Sequence, residues 1–150
     1  MANYTREISH MLDRLNTKIL TQDKSGYYRK HLKVELNLAE VLILKQLGEH
    51  GDIKLNQLIK NLEVDRNFLN TTLKRMMTLK LIHKTPDPSD GRSQVVGMLQ
   101  AGRELYHELL KQQQQELDFV LNDITINEEK TVLKFISKLV QYHTEKYEIK

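Results

Sequence analysis

The sequence predicts a mainly α-helical chain that carries one small β-hairpin, with helices before and after it. Three observations predict this. Apolar residues recur at three-to-four-residue spacing over most of the 150 residues. Only 2 prolines and 6 glycines interrupt them. The helical pattern breaks once, between Leu81 and Leu99, where both prolines and a dense cluster of turn residues fall.

The elements follow in order. Ile8, Met11 or Leu12, Leu15 and Ile19 place a first helix near the N-terminus, with its end beyond Ser25-Gly26 left open. Asn37 is a good N-cap for a second helix, and Glu40 stands three residues on, as in a capping box. Its apolar stripe is Leu38, Val41, Leu42, Leu44 and Leu47, and Gly48 and Gly51 end it near His50. Asp52 to Leu62 reads as a short third helix with Leu55, Leu58, Ile59 and Leu62 inward. After a turn at Glu63-Val64, Asp65 can cap a fourth helix that runs to about Leu79. Two short helices joined by a tight turn make a helix-turn-helix candidate.

Leu81 to Thr85 and Val95 to Leu99 then read as two short strands, joined through Asp87-Pro88-Ser89-Asp90-Gly91. They form a hairpin, a wing. Gly102 to about Asn122 is a polar-rich helix with Leu105, Leu109, Leu110, Leu117, Val120 and Leu121 apolar. A last helix opens at Asn127 and carries Val132, Phe135, Ile136, Leu139, Val140 and His143. The fold class is therefore mainly α with a small β-hairpin wing: a winged helix-turn-helix over about 37–99, flanked by helices over about 1–34 and 100–150.

Composition narrows the function. The chain has no Cys, which removes disulfides, Cys-based zinc sites and thiol redox sensing, and agrees with a reducing cytosol. Met1 to Glu7 contains no apolar signal core and no stretch is apolar enough to span a bilayer, so the expectation is a cytoplasmic protein with no membrane partner. The net charge is only +3. From Asp52 to Arg92, however, 8 Lys/Arg face 5 acids, so this segment carries the whole excess. A local basic excess suits a polyanion, though an ordinary solvated surface would also produce it. No glycine-rich phosphate loop, nucleophile elbow or His-Glu-x-x-His is present, so no enzyme is expected. The 6 histidines show no His-x-x-x-His spacing, and only His107-Glu108 hints at a metal; none is expected, nor any cofactor.

The fourth helix is the most informative element. At about 100° per residue from Arg66, Phe68, Leu69, Thr72, Leu73, Met76 and Leu79 fall within roughly 200° to 340°. Asn67, Asn70, Thr71, Lys74 and Thr78 fall within roughly 40° to 140°. One face is apolar; the other carries amides, hydroxyls and one Lys, with no acid. Such a face offers the donors and acceptors that base edges and phosphates accept. Any amphipathic helix has a polar face, but it usually mixes charges.

At these residues the sequence resembles a family. Leu58, Leu62 and Val64, then Asp65-Arg66-Asn67, Leu81-Ile82, the wing string Asp87-Pro88-Ser89-Asp90-Gly91-Arg92 and finally Gly102 resemble the MarR (multiple antibiotic resistance regulator) family of winged-helix regulators. The wing string is the most specific part, and the flanking helices extend the resemblance over nearly the whole chain. Glu63 and Lys80 stand where the family often has glycines, which implies a positive φ at each. Leu99 stands where a capping Thr is usual, and Gly97 falls inside a strand.

The resemblance implies a homodimeric repressor built from the terminal helices that places each reading helix in a major groove and each wing in the adjacent minor groove of a pseudo-palindromic operator in double-stranded DNA. It assigns DNA contact to Arg66, Asn67, Asn70, Thr71, Lys74, Arg75, Arg92 and Ser93. Arg75 lies about 180° around the helix from Arg66, which suits a flanking phosphate contact or a structural ion pair. Arg92 would enter the minor groove or pair with Asp90 to hold the wing tip. His10, Tyr27 and Tyr28 fall where relatives hold a small-molecule effector, and packing is the competing role for them. A winged-helix protein-interaction module without DNA binding is the alternative reading.

Overall fold

The computed structural model describes residues 4–25 and 34–148. Tyr27, Tyr28 and the end of the first helix beyond Ser25 lie outside the described residues. The elements are α1 (Thr5–Ser25), α2 (Leu38–His50), β1 (Ile53–Lys54), α3 (Leu55–Leu62), α4 (Arg66–Thr78), β2 (Ile82–Asp87), β3 (Asp90–Met98), α5 (Gln100–Val120) and α6 (Ile126–Glu148). They divide into two compact units, Met1–Leu109 and Leu110–Lys150, with the division inside α5.

In the first unit, α2 begins where the side chain of Asn37 accepts from the Glu40 backbone N–H at 2.9 Å. The Glu40 carboxylate accepts in return from the Asn37 N–H at 2.9 Å, a complete capping box. The buried face of α2 is Glu40, Val41, Ile43, Leu44 and Leu47. The stripe expected from sequence is corrected at one place: Leu42 is 44% exposed and Ile43 is buried in its stead. Residues 40, 43, 44 and 47 recur at i, i+3, i+4 and i+7, and that register puts a charged residue on the inward face.

The third helix is also corrected. Gly51 turns the chain at φ 75, and Ile53–Lys54 then pair with Val95–Val96 as a short antiparallel strand before α3 starts at Leu55. A β-branched residue beside an open strand gains more from the ladder than from one more turn of helix. The sheet order is β1-β3-β2, with β3 central. Both wing arms are longer than Leu81–Thr85 and Val95–Leu99 suggested: Ile82 pairs with Met98 and the ladder runs out past Pro86 opposite Gln94 to Asp87 opposite Asp90, with an irregularity at Pro86/Asp87. Pro86 is accommodated because β2 is an edge strand.

Leu44, Leu47, Leu58, Leu69, Leu73, Met76, Leu81 and Val96 form the centre of the core, and Leu105 and Leu109 of α5 join it. α5 starts at Gln100, ahead of Gly102, and ends at Val120, two residues short of the Asn122 end expected. The approach of α5 to the wing base requires Gly102, since a Cβ there would stand 2.1 Å from the Leu81 carbonyl oxygen. That oxygen also accepts the Leu99 N–H at 2.9 Å.

The positive φ implied at both non-glycine positions is present, at 55° for Glu63 and 60° for Lys80. Lys80 closes α4 in a Schellman arrangement: its N–H reaches the Met77 carbonyl at 2.9 Å and that of Leu81 reaches Met76 at 3.1 Å. Along α1, Ile8, Met11, Leu15 and Ile19 are exposed by 40–56%. In the second unit α6 begins at Ile126, one residue before Asn127, and Val132, Phe135, Ile136 and Val140 are exposed by 40–61%.

Two substitutions test this geometry in opposite directions. Lys80→Gly relieves the left-handed strain and is expected to stabilise by roughly 0.5–1 kcal/mol after the entropy glycine adds to the unfolded chain. Gly102→Ala forces a side chain onto backbone and is expected to cost about 1–3 kcal/mol. Urea melts of both variants check this.

Candidate nucleic-acid interface

α4 is positioned by three features. Asp65 caps it, accepting the Phe68 N–H at 3.2 Å. Leu69, Thr72, Leu73 and Met76 are buried, which fixes the inward face. Arg75 then anchors the helix sideways: its guanidinium pairs with the Glu40 carboxylate and donates to the Glu35 carbonyl at 3.1 Å. Glu40 is fully buried, so a guanidinium and a backbone N–H together replace the water it loses. Of the two roles open to Arg75, the structure shows the ion pair. The signal missed in sequence is that the cap residue Glu40 and Arg75 meet across 35 positions.

The outward face carries Arg66, Asn67, Thr71, Lys74 and Thr78, all exposed. No residue of α4 is acidic. Thr71 and Thr78 donate their hydroxyls to the carbonyls of Asn67 and Lys74 at 2.9 and 3.0 Å, and each oxygen keeps acceptor capacity. Asn70 is half-buried at the edge of this face, and its Oδ1 is covered without a partner. One expectation is corrected here: Phe68, placed on the apolar face, is 49% exposed. It lies at the rim of the buried arc of α4.

The wing tip is organised by its two acids. Asp87 is 7% exposed, and its Oδ1 accepts both the N–H and the hydroxyl of Ser89, at 2.9 and 2.8 Å. Lys54 Nζ stands 3.4 Å from Oδ2, an ion pair without hydrogen-bond geometry, on a lysine 62% exposed. The Ser89 bonds first, and Lys54 after them, hold the Asp87 carboxyl below the usual carboxylate range. Asp90 accepts the Arg92 backbone N–H at 3.1 Å and the Ser93 hydroxyl at 3.3 Å. So Asp90 holds the tip through backbone, and the Arg92 guanidinium makes no ion pair among the described residues.

Sequence reasoning did not single out Lys54, Asn56 and Gln94, yet they share one cleft with Arg66, Arg92 and Ser93. Arg66 Nη2 donates to Asn56 Oδ1 at 2.6 Å. Three cations thus converge between the start of α3, the start of α4 and the wing, an arrangement that suits a phosphate. No local pattern announces it, because three separate segments build it. His10 is exposed on α1, in an open depression lined, among the described residues, by that helix. Among the described residues no group of three metal-ligating side chains forms, and no helix is long and apolar enough to cross a membrane.

Asp87 supplies a pH test. Its folded-state pKa is lowered, so its contribution is fully present above the unfolded value of about 3.9 and is lost as pH falls from there through the lower folded value. Wild type is therefore expected to melt higher than Asp87→Asn at neutral pH, with the difference shrinking below about pH 4. Paired thermal melts across that range check it.

The profile described as "MarR family" matches residues 36–94, which holds α2 to most of β3. An uncharacterised HTH-type transcriptional regulator of Bacillus subtilis, YwhA, is 24% identical over 136 residues, 89% of this chain and 95% of that protein. The HTH-type transcriptional repressor NicR of Pseudomonas putida is 21% identical over 136 residues, 91% of this chain and 84% of that protein. FabT of Streptococcus pneumoniae, solved in complex with DNA, superposes with a TM-score of 0.82 at 15% identity over 95% of this chain and 99% of that one. Residues 36–94 thus match the MarR family profile, and the fold of the chain is that of winged helix-turn-helix proteins.

Proposed function

We propose that the protein is a sequence-specific DNA-binding transcription regulator, a homodimeric repressor of the cytoplasm that answers a small-molecule effector, and not an enzyme. The observation that carries this reading is the acid-free outward face of α4 beside an unpaired Arg92 and the Lys54–Arg66–Arg92 cleft. α4 offers amides and hydroxyls to base edges, the cleft offers cations to a phosphate, and Arg92 reaches from the wing toward a minor groove. Arg75, held by Glu40, serves the position of α4 rather than the DNA. The repressor NicR and the DNA-bound FabT support the reading by kinship. A protein-interaction module would have no use for a reading face free of acids.

The homodimer rests on the apolar rows left open in one chain: Ile8, Met11 and Leu15 on α1, Leu110 and Leu117 on α5, and Phe135 and Ile136 on α6. A second copy covers such rows by two-fold symmetry, which in turn calls for a pseudo-palindromic operator. Phe135→Ala with Leu139→Ala is expected to weaken the dimer by a few kcal/mol, from about 2–5 per large buried side chain discounted for partial burial. Sedimentation at several concentrations measures it, and a wild-type monomer at micromolar concentration removes the dimer from the account.

Three variants separate reading from holding, each measured on a duplex selected from a random pool and on a scrambled one. Asn70→Ala is expected to cost about 1–3 kcal/mol on the selected duplex and little on the scrambled one. Lys74→Ala weakens both and lowers the salt slope by about one per subunit. Arg92→Ala lowers the slope too, with a cost that follows A·T content beside each half-site. Wild-type binding by all three on both duplexes contradicts the proposed surface.

A further inference from the structure

Resting on the DNA-binding reading above, we propose that Phe68 is a specificity-determining residue, whose ring reads a thymine by packing on its C5-methyl group in the major groove. Every polar group of this residue is spent on the fold while its ring is not. The backbone N–H satisfies the Asp65 cap at 3.2 Å, and the carbonyl accepts the Thr72 hydroxyl at 2.9 Å. Every residue type but proline supplies those two groups, so the cap does not explain a phenylalanine.

The ring is 49% exposed, and no other large apolar side chain of α4 is exposed. Leu69, Leu73 and Met76 are fully buried in the same helix. A single exposed apolar residue is ordinary on a protein surface. Its position is what distinguishes this one. Phe68 is the third residue of α4, in the first turn, and the N-terminal residues of a reading helix are those that meet base edges. Thr71, exposed on the polar face, lies three residues on and is its surface neighbour. An aromatic ring at the border of an amide and hydroxyl face suits the one apolar group the major groove displays, the thymine methyl.

The test begins with duplexes selected from a random pool by the wild-type full-length protein. Thymidines in the selected half-site are then replaced one at a time by deoxyuridine, which lacks only the methyl group. Wild type is expected to lose about three- to tenfold in affinity at one position of each half-site, the scale of one buried methyl group. Phe68→Ala is expected to lose that sensitivity and to select a site with the thymine preference relaxed at the same position. Phe68→Leu, which keeps an apolar surface, is expected to retain part of it. If Phe68→Ala selects the same site with the same deoxyuridine sensitivity, or if wild type shows none, the proposal is overturned while the DNA-binding reading stands. If Phe68→Ala instead loses its fold or its assembly state, the ring is a packing group and the proposal is again overturned. If wild type selects no sequence at all, the DNA-binding reading fails first.

Discussion

The pairing of Glu40 with Arg75 is the constraint on which the rest of the site depends. Glu40 sits on the buried face of α2, at i of an i, i+3, i+4, i+7 set whose other members are Ile43, Leu44 and Leu47. A carboxylate there is costly to desolvate unless its lone pairs are used. One oxygen takes the Asn37 N–H and completes the cap of α2, and both oxygens meet the Arg75 guanidinium. The guanidinium also ties down the Glu35 carbonyl ahead of the helix. One cluster thus joins the start of α2 to the last turn of α4. Hydrophobic burial of Leu69, Leu73 and Met76 holds α4 against the core, but apolar contact is non-directional. The ion pair adds a directional tie at the last turn of α4 to the inward face that this burial sets.

The acids near the site show a consistent division of labour. Asp65 caps α4, Asp87 closes the wing turn on Ser89, and Asp90 holds the backbone of Arg92. Each carboxylate is occupied by neighbouring donors of its own segment. Lys54 partly offsets Asp87. Arg66, Lys74 and Arg92 are exposed alongside the amides and hydroxyls of α4. The wing string serves the fold at Asp87 and Asp90, while the Arg92 guanidinium makes no ion pair among the described residues.

What was legible in the sequence was local. Asn37 with Glu40, Asp65 before α4 and the turn cluster of the wing each act within four residues, so spacing alone revealed them. The resemblance carried the positive φ at Glu63 and Lys80, which composition could not. The rest depends on distant neighbours. Helical periodicity gives a stripe but not its centre, so Leu42 was read inward where Ile43 is buried. Phe68 was assigned to the apolar arc because nothing in its own segment says where the covering elements stop. The strand at Ile53–Lys54 exists only because Val95 and Val96 lie beside it. Arg75 could be left between two roles but not decided, since its partner is 35 residues away. The cleft of Lys54, Arg66 and Arg92 had no sequence signature for the same reason.

The central claim is that the outward arc of α4 and the tip of the wing form one DNA-contacting surface. Two-dimensional amide NMR spectra of the uniformly labelled protein, titrated with a duplex it has selected, test it most directly. The account predicts that the amides of Asn67, Thr71 and Lys74 and those of Gly91, Arg92 and Ser93 move together with a single saturation point. Shifts confined to α1 or α6, with α4 and the wing tip unmoved at saturation, would contradict it.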